Sequence, residues 1–442
     1  PFLYLALFKE EGNEHQKKRE KQFESFEKKR FLYYALTVVV GFMYGLGYTW
    51  SVVQTPFVEA MNGDPAKITA TVALVYTACV LFSTMSPTLF GGFTKKLKPN
   101  QLTIIGGAMF GIGYLACGHI HTLPLLFFTY SVLTGIGTGL VYPTLMGYVA
   151  TLYPEKTGTY SSIYAGVYGG SAMVWSPLLA LIVADKGLEG MSNIIGPVSF
   201  IIIVVIGFII KPAPEGYIDY KKSQMAAPAA SGKKAPVSNV PDLNRGQMAK
   251  TPIFYIAMVT FAFGLTSGMF VISQASPILQ SQYGLTAVGA ATFVSLNSFA
   301  SLAGRIVFGT VTDHTDKYVT LCIIPALSVV GMGLLSILMK NPTSHIAAAA
   351  CMAIVAFGYG GFGGTITPIT ADLFGTKYIT ENFGVMYLNF GIAALIGPRI
   401  AVKFGAGSGN YPLAFGIGAV IALISVIAAF VVRAKVKASQ KA

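Results

Sequence analysis

Twelve apolar stretches, each long enough to cross a membrane, recur along the chain and limit the folds open to it. About 20 apolar residues in a helix span a hydrocarbon core about 30 Å thick. With 53% of its residues hydrophobic and 11% charged, the chain has too little polar surface for a water-soluble protein. We therefore predict an all-α membrane protein. The predicted spans are 32–58, 69–92, 101–119, 123–151, 159–184, 194–210, 252–279, 286–312, 318–339, 345–371, 382–404 and 411–432.

Lysine and arginine are concentrated in the two tails and in alternate loops, which predicts the orientation of the chain. They cluster at 9–30, 95–98, 211–250 and 433–441, whereas the other loops carry almost none. Positively charged loops stay in the cytoplasm, so we predict cytoplasmic termini in a multi-pass protein of the inner or plasma membrane. The net charge of +13 is mostly a consequence of this topology, and we predict no nucleic-acid partner.

The segment 211–250 divides the spans six and six. It is rich in Pro, Ala, Ser, Gly and Lys and has no apolar periodicity, which is typical of a linker. We predict a charged N-terminal tail, a six-helix bundle, a cytoplasmic linker, a second six-helix bundle and a C-terminal tail. The predicted bounds of these regions are 1–31, 32–210, 211–250, 251–432 and 433–442.

An internal repeat indicates that the two bundles are related. A shift of 221 residues superimposes identical residues of spans 1, 4 and 5 on spans 7, 10 and 11. Such repeats, with the binding site near the midplane between them, are typical of secondary transporters. We therefore predict two pseudo-symmetric six-helix bundles. The superimposed pairs include Phe42 with Phe263, Gly47 with Gly268, Pro56 with Pro277, Gly137 with Gly358, Gly139 with Gly360, Gly170 with Gly391 and Pro177 with Pro398.

Arg305 is the one ionisable side chain that the sequence places near the middle of the membrane, within the apolar stretch 292–312. A guanidinium stays protonated, so burying it costs several kcal/mol unless it meets an anion or water. No span offers an Asp or Glu at this depth, and we predict that the substrate anion supplies the counter-charge. In the alternative, Arg305 extends towards the cytoplasm or pairs with helix-end carbonyls as a structural residue.

A loop motif follows the eighth span: Gly309, three further residues, Asp313 and then the basic Lys317. Together with the two six-helix halves, this pattern resembles the major facilitator superfamily. The resemblance implies a substrate site between the halves and a gating role for the loop. The first half departs from the pattern, because Lys95 stands where the acidic residue is expected.

Four stretches resemble a narrower group, the oxalate/formate antiporter family and the related monocarboxylate transporters. They are GLGYTWSV at 45–52, GLVYP at 139–143, ISQASPI at 272–278 and ADLFG at 371–375. The resemblance implies that Arg305 binds a substrate carboxylate. Phe390 stands where the oxalate carrier has a second cation, and Ser301 stands where animal monocarboxylate transporters have an Asp. One cation suits one carboxylate, which favours a monocarboxylate such as formate, lactate or pyruvate over oxalate.

The same resemblance places four tyrosines in the wall of the substrate cavity: Tyr142, Tyr168, Tyr359 and Tyr387. A phenol donates a hydrogen bond to a carboxylate while its ring forms an apolar wall. In the alternative, these rings belong to interfacial belts or to helix packing. Weaker candidates for substrate contact are Tyr48, Asn297, Ser301 and Asn389.

Three features bear on the mechanism. Proton coupling commonly uses an intramembrane carboxylate or His, but His119 and His121 lie at the outer end of span 3 and Asp372 at the cytoplasmic end of span 10. Anions either exchange one for another, or the proton travels with the substrate, and the single cation favours proton-linked transport. No Gly-Lys-Ser/Thr loop indicates ATP binding, and the four cysteines lack metal spacing. We predict a monomeric secondary transporter without cofactor or metal.

The sequence bears on three rival functions. A multidrug or cation exporter needs acidic residues within its spans, and none is found there. A membrane enzyme needs a cluster of His, carboxylate or Ser/Lys groups, which is not visible. A non-transporting sensor stays open, although the linker and tails are short for a signalling domain.

Overall fold

The structure, a computed structural model, describes residues 2–61, 64–90, 97–154, 157–217, 220–221, 242–375 and 378–441, and every regular element within these ranges is helical. We number the spanning segments α1 to α12. The first half begins with α1, built from Phe2–Tyr44, a 3₁₀ turn at Gly45–Thr49 and Trp50–Ala60. Next come α2 (Pro65–Leu89), α3 (Pro99–Cys117) and α4 (Leu123–Leu152). The continuous stretch Ala172–Ile209 contains the end of α5, which starts as Thr157–Gly170, and all of α6.

The second half repeats this order after a single helical turn at Arg245–Met248. Its first four segments are α7 (Pro252–Tyr283), α8 (Ala287–His314), α9 (Lys317–Leu338) and α10 (His345–Phe374). Segment α11 is built from Ile379–Met386, Leu388–Ile400 and the wider turn Ala401–Ala406, and α12 is Tyr411–Lys441.

Gly187 separates α5 from α6. Its φ of 65° is left-handed, which only glycine adopts without strain, and it breaks the long stretch Ala172–Ile209 into two spans. The sequence predicts a longer connection, from the end of span 5 at residue 184 to the start of span 6 at 194. That expectation is wrong: the helices turn at one residue, flanked by the exposed Asp185 and Lys186.

The length and apolar character of these helices confirm the predicted all-α membrane fold. Ten helices among the described residues are long and apolar enough to cross a membrane, and one of them, Thr159–Ile209, contains both α5 and α6. Together with the shorter α3, these helices make up the twelve segments α1 to α12. Large apolar side chains point outwards around the bundle, as expected of a surface in contact with lipid. Examples are Phe31, Phe208, Leu181, Ile337 and Val420.

Equivalent glycines of the internal repeat make equivalent contacts. A Cβ added to Gly139 in α4 would lie 2.1 Å from the carbonyl oxygen of Ser83 in α2. A Cβ added to Gly360 in α10 would lie 1.9 Å from the carbonyl oxygen of Ser301 in α8. Both distances are far inside van der Waals contact, so each half depends on a glycine to bring two helix backbones together.

The two halves meet along α5 against α8 and along α2 against α11. On the first side, a Cβ at Gly170 would lie 3.0 Å from Cβ of Leu302, and on the second, one at Gly391 would lie 2.4 Å from Oγ1 of Thr84. Gly170 and Gly391 are themselves a matched pair of the repeat. Few polar groups cross this boundary; one that does is the Thr77 hydroxyl, which donates to the Ala394 carbonyl at 2.9 Å.

The N-terminal tail is continuous with the first span. Helix Phe2–Tyr44 runs through the predicted boundary at residue 31, and Phe23 and Phe26 pack against Tyr217, with ring centroids 6.0 and 5.0 Å apart. The part of the predicted charged tail nearest the bundle therefore packs against the segment that follows α6. Within the predicted linker 211–250, residues 218–219 and 222–241 lie outside the described residues.

Candidate functional site

Arg305 lies in α8 and is 97% removed from solvent, with 3% of its surface exposed. Its guanidinium crosses to the first half of the chain. Nη1 donates to the carbonyl oxygen of Ala165 in α5, and Nη2 donates to the Tyr48 hydroxyl of α1 at 3.4 Å. Ala165 lies within its helix, so the partner is a mid-helix carbonyl and not the helix-end carbonyl of the structural alternative.

Glycines on both sides make room for this side chain. A Cβ added to Gly169 in α5 would lie 1.6 Å from Nη1, and one added to Gly363 in α10 would lie 3.0 Å from Nε. Any other residue at 169 would therefore displace the guanidinium. These two glycines leave room for the guanidinium between α5 of the first half and α10 of the second.

The positive charge of Arg305 is not neutralised by any carboxylate among the described residues. No carboxylate forms an ion pair with it in the part of the chain that the structure describes, and its Nε has no hydrogen-bond acceptor there. A buried cation with only neutral partners is costly, because the guanidinium has lost its water without gaining an opposite charge. The arrangement suits an anion that arrives from outside the protein.

Six aromatic side chains form a closed ring beside Arg305, which we name the aromatic cage. Neighbouring ring centroids are 4.2 to 6.4 Å apart around the full circuit. The members in order are Tyr48, Tyr168, Tyr142, Tyr387, Phe390 and Tyr359. Three come from each half of the chain, so any separation of the halves opens the cage.

Tyr48 connects the cage to the cation. Its hydroxyl lies 3.3 Å from the hydroxyl of Tyr359 and accepts from Arg305. The residue belongs to the 3₁₀ turn Gly45–Thr49, where α1 departs from regular α-helix within the predicted span 32–58. Short 3₁₀ segments inside a helix often mark functional positions, and here the turn aims a phenol at the interface between the halves.

Two small cavities flank Tyr48, each about 20 Å³ in volume, or room for about one water. The Arg305 cavity is lined by Tyr48, Tyr142, Met146, Ala165, Tyr168, Arg305, Gly363, Ile366, Thr367, Phe383, Tyr387 and Phe390. The Asn297 cavity is lined by Tyr48, Gly169, Val271, Ile272, Ala275, Val294, Asn297, Ser298, Ser301 and Ala356.

The weaker candidates for substrate contact do not all line the same cavity. Asn297 and Ser301 line the Asn297 cavity, and their buried side-chain polar atoms have no hydrogen-bond partner among the described residues. Asn389 is fully buried and its amide also lacks a partner there, but it lines neither cavity. Phe390 contributes an apolar wall to the Arg305 cavity.

The loop motif lies away from the cavities. Lys317, at the start of α9, pairs with Asp372 at the end of α10 across 2.8 Å, and Tyr318 donates to the same carboxylate at 2.5 Å. Both contacts stay within the second half. Gly309 lies in α8, where a Cβ would be 3.8 Å from Oγ of Ser162 in α5. The side chain of Asp313 and the whole of Lys95 lie outside the described residues.

The sequence did not predict the two residues of α5 that contact the Arg305 guanidinium. Ala165 acts through its backbone carbonyl, which has no signature in the sequence, and Gly169 acts by lacking a side chain. The Gly169–Gly170 pair within an apolar helix was the available signal, because paired glycines in spanning helices mark close approach.

The chain belongs to the Major Facilitator Superfamily, whose family model matches residues 35–398. It is therefore a secondary transporter of small solutes and not an enzyme. The fold is that of this class: a D-xylose-proton symporter superimposes with a TM-score of 0.69 at 13% identity, covering 89% of this chain and 96% of the symporter.

Three relatives confirm the resemblance found from the sequence motifs. The uncharacterized MFS-type transporter YhjX of Escherichia coli (strain K12) is 27% identical, covering 84% of this chain and 87% of YhjX. The oxalate:formate antiporter of Oxalobacter formigenes is 26% identical, covering 91% of each chain. Monocarboxylate transporter 12-B of Danio rerio is 24% identical, covering 75% of this chain and 73% of the transporter.

Proposed function

We propose that the protein carries small monocarboxylates such as lactate, pyruvate or formate across the membrane by alternating access, linked to protons. The observation that carries the proposal is the buried Arg305, which has no carboxylate partner among the described residues and lies beside the aromatic cage between the two halves. Relatives named for oxalate, formate and monocarboxylate transport support the same substrate class.

The residues that line the Arg305 cavity support a substrate with a single carboxylate. Arg305 is the only cation among the twelve residues that line its cavity, and Phe390 offers an apolar face there. A monoanion would balance one guanidinium, whereas a dianion would leave one charge unpaired in a region from which water is largely excluded. Tyrosine hydroxyls around the carboxylate would supply its remaining hydrogen bonds.

The cross-half contact of Arg305 supports net transport. The guanidinium donates to Ala165 and Tyr48, so each Nη has an acceptor within the protein and the halves can come together around Arg305 without an anion. Net transport requires this return of the empty carrier, while obligate exchange requires that it be blocked. In this proposal the proton travels with the carboxylate, because Arg305 is permanently charged and cannot carry it.

We propose that both termini lie in the cytoplasm and that the two bundles form one transport unit. The even number of spans puts both termini on one side, and the lysine and arginine clusters assign that side to the cytoplasm of an inner or plasma membrane. The bundles 32–210 and 251–432 move against each other around the linker 211–250, and one monomer contains the complete site.

Uptake by purified protein in liposomes tests the proposal. An inward proton gradient should drive accumulation of radiolabelled lactate or pyruvate into liposomes that contain no anion to exchange. The alternative, exchange of the oxalate:formate type, predicts no accumulation until the liposomes are loaded with a second carboxylate. Absence of uptake for every carboxylate under both conditions would contradict the proposed function.

A further inference from the structure

Asn297 has a buried amide without a partner. It is 5% exposed, it lines the Asn297 cavity, and neither its Oδ1 nor its Nδ2 has a hydrogen-bond partner among the described residues. Leaving a buried polar group without a partner is unfavourable, because the group has lost its hydrogen bonds to water without gaining others. Such an amide is therefore expected to bind something that the protein itself does not contain.

Asn297, Ser301 and Arg305 lie four residues apart in sequence within α8 and so share one face of the helix. With a rise of 1.5 Å per residue, the backbones of Asn297 and Arg305 are about 12 Å apart along the axis. The Ser301 hydroxyl, also without a partner among the described residues, lies between them. The face is a polar track that leads from the cation into the Asn297 cavity.

Tyr48 lies between the two cavities and lines both, and Gly169, against which Nη1 of Arg305 packs, lines the Asn297 cavity. Each cavity has room for about one water, so a molecule held by its carboxylate at Arg305 reaches Asn297 when separation of the halves moves Tyr48 aside. The Asn297 cavity has an apolar wall that suits a short hydrocarbon chain; it consists of Val271, Ile272, Ala275, Val294 and Ala356.

None of the ten residues that line the Asn297 cavity is charged. A second carboxylate would find no cation there, so a dicarboxylate is disfavoured. An amide both donates and accepts hydrogen bonds, as a hydroxyl does, and its NH₂ also donates to an oxo group. The polar group that fits is therefore neutral.

We propose that the Asn297 cavity is a specificity subsite for a hydroxyl or oxo group at C3 or C4 of a monocarboxylate held by Arg305. This inference rests on the proposed function and ranks substrates within it, with short 3- and 4-hydroxy or oxo acids first. Formate, unsubstituted carboxylates and C2-substituted acids such as lactate and pyruvate are weaker substrates than these, because they leave the Asn297 amide without a partner.

Competition among four-carbon acids tests the subsite. Butyrate, 2-hydroxybutyrate, 3-hydroxybutyrate and 4-hydroxybutyrate have the same chain length and differ only in the presence and place of the hydroxyl. Uptake by wild-type protein should favour the 3- or 4-hydroxy acid over butyrate by about 10-fold or more. In Asn297→Leu the ratio should fall to about 1, while butyrate uptake is retained.

Ser328→Ala is the control, since it removes another buried hydroxyl without a partner among the described residues but lines neither cavity. It should keep the wild-type ratio. If Asn297→Leu does not carry butyrate, the same ratio measured in Asn297→Ala decides. Butyrate uptake without any preference for a hydroxy acid, or a preference that survives both variants, would overturn the subsite alone. Failure of wild-type protein to carry any carboxylate would overturn the proposed function and the subsite with it.

Discussion

Arg305 of the second half donates a hydrogen bond from Nη1 to the backbone carbonyl of Ala165 in the first half. The contact joins a permanent cation on one half to a neutral acceptor on the other. We propose that a substrate carboxylate replaces this acceptor during transport. Because the acceptor is a backbone carbonyl, substitution of Ala165 cannot remove it directly, and the contact has to be disturbed from the space around it.

Gly169→Ala disturbs this contact. The added Cβ would lie 1.6 Å from Nη1, so the guanidinium must leave Ala165, and the protein loses a hydrogen bond of a charged group, worth about 1.5 to 3 kcal/mol. We expect net uptake into anion-free liposomes to fall about 10-fold or more, with a smaller loss of carboxylate-for-carboxylate exchange. Gly147→Ala in α4 is the matched control, because its added Cβ meets nothing within 4 Å. Equal loss of both modes would count against the role given to the Ala165 contact.

Tyr48→Phe keeps the ring of the aromatic cage and removes the hydroxyl. Arg305 then loses its second acceptor and the Tyr359 hydroxyl loses its partner. A hydrogen bond to a charged group is worth about 1.5 to 3 kcal/mol, so the KM for the carboxylate should rise about 10-fold or more. Tyr44→Phe, one turn earlier, removes a buried hydroxyl without a partner in the described part of the chain and should leave KM unchanged. A KM within about twofold of wild type for Tyr48→Phe would show that the hydroxyl does not position the cation.

The repeat-related glycines should have matching effects on stability. Gly139→Ala and Gly360→Ala each drive a Cβ to about 2 Å from a neighbouring backbone carbonyl, a clash that rotamer changes cannot relieve. Overpacking of this kind costs about 1 to 3 kcal/mol, so both variants should lower the Tm of the detergent-solubilised protein. Gly147→Ala and Gly333→Ala add the same methyl group to open space and serve as controls. If Gly139→Ala or Gly360→Ala has the same Tm as the controls, the close helix approach in that half is contradicted.

The fold was readable from the chain because the apolar runs alone specify spanning helices. Arg305 and the tyrosines were also identifiable, since a lone intramembrane cation and mid-helix phenols are visible as residue types. Ala165 and Gly169 were not, because a backbone carbonyl and an absent side chain leave no chemical signature. The predicted connection between α5 and α6 was too long. The charged residues Asp185, Lys186 and Glu189 indicated a polar loop, but in the structure they only flank a one-residue turn at Gly187.

The central claim is that Arg305 binds the carboxylate of the substrate, and saturable uptake by purified variants in liposomes tests it most directly. Arg305→Leu removes the cation, while Arg399→Leu removes an exposed arginine of α11 and controls for the loss of one charge. Truncating one partner of a buried charge pair costs about 2 to 5 kcal/mol. We therefore predict that Arg305→Leu lowers kcat/KM for lactate or pyruvate about 100-fold or more, that Arg305→Lys recovers part of the loss, and that Arg399→Leu matches wild type. Uptake by Arg305→Leu with wild-type kcat/KM would contradict the account.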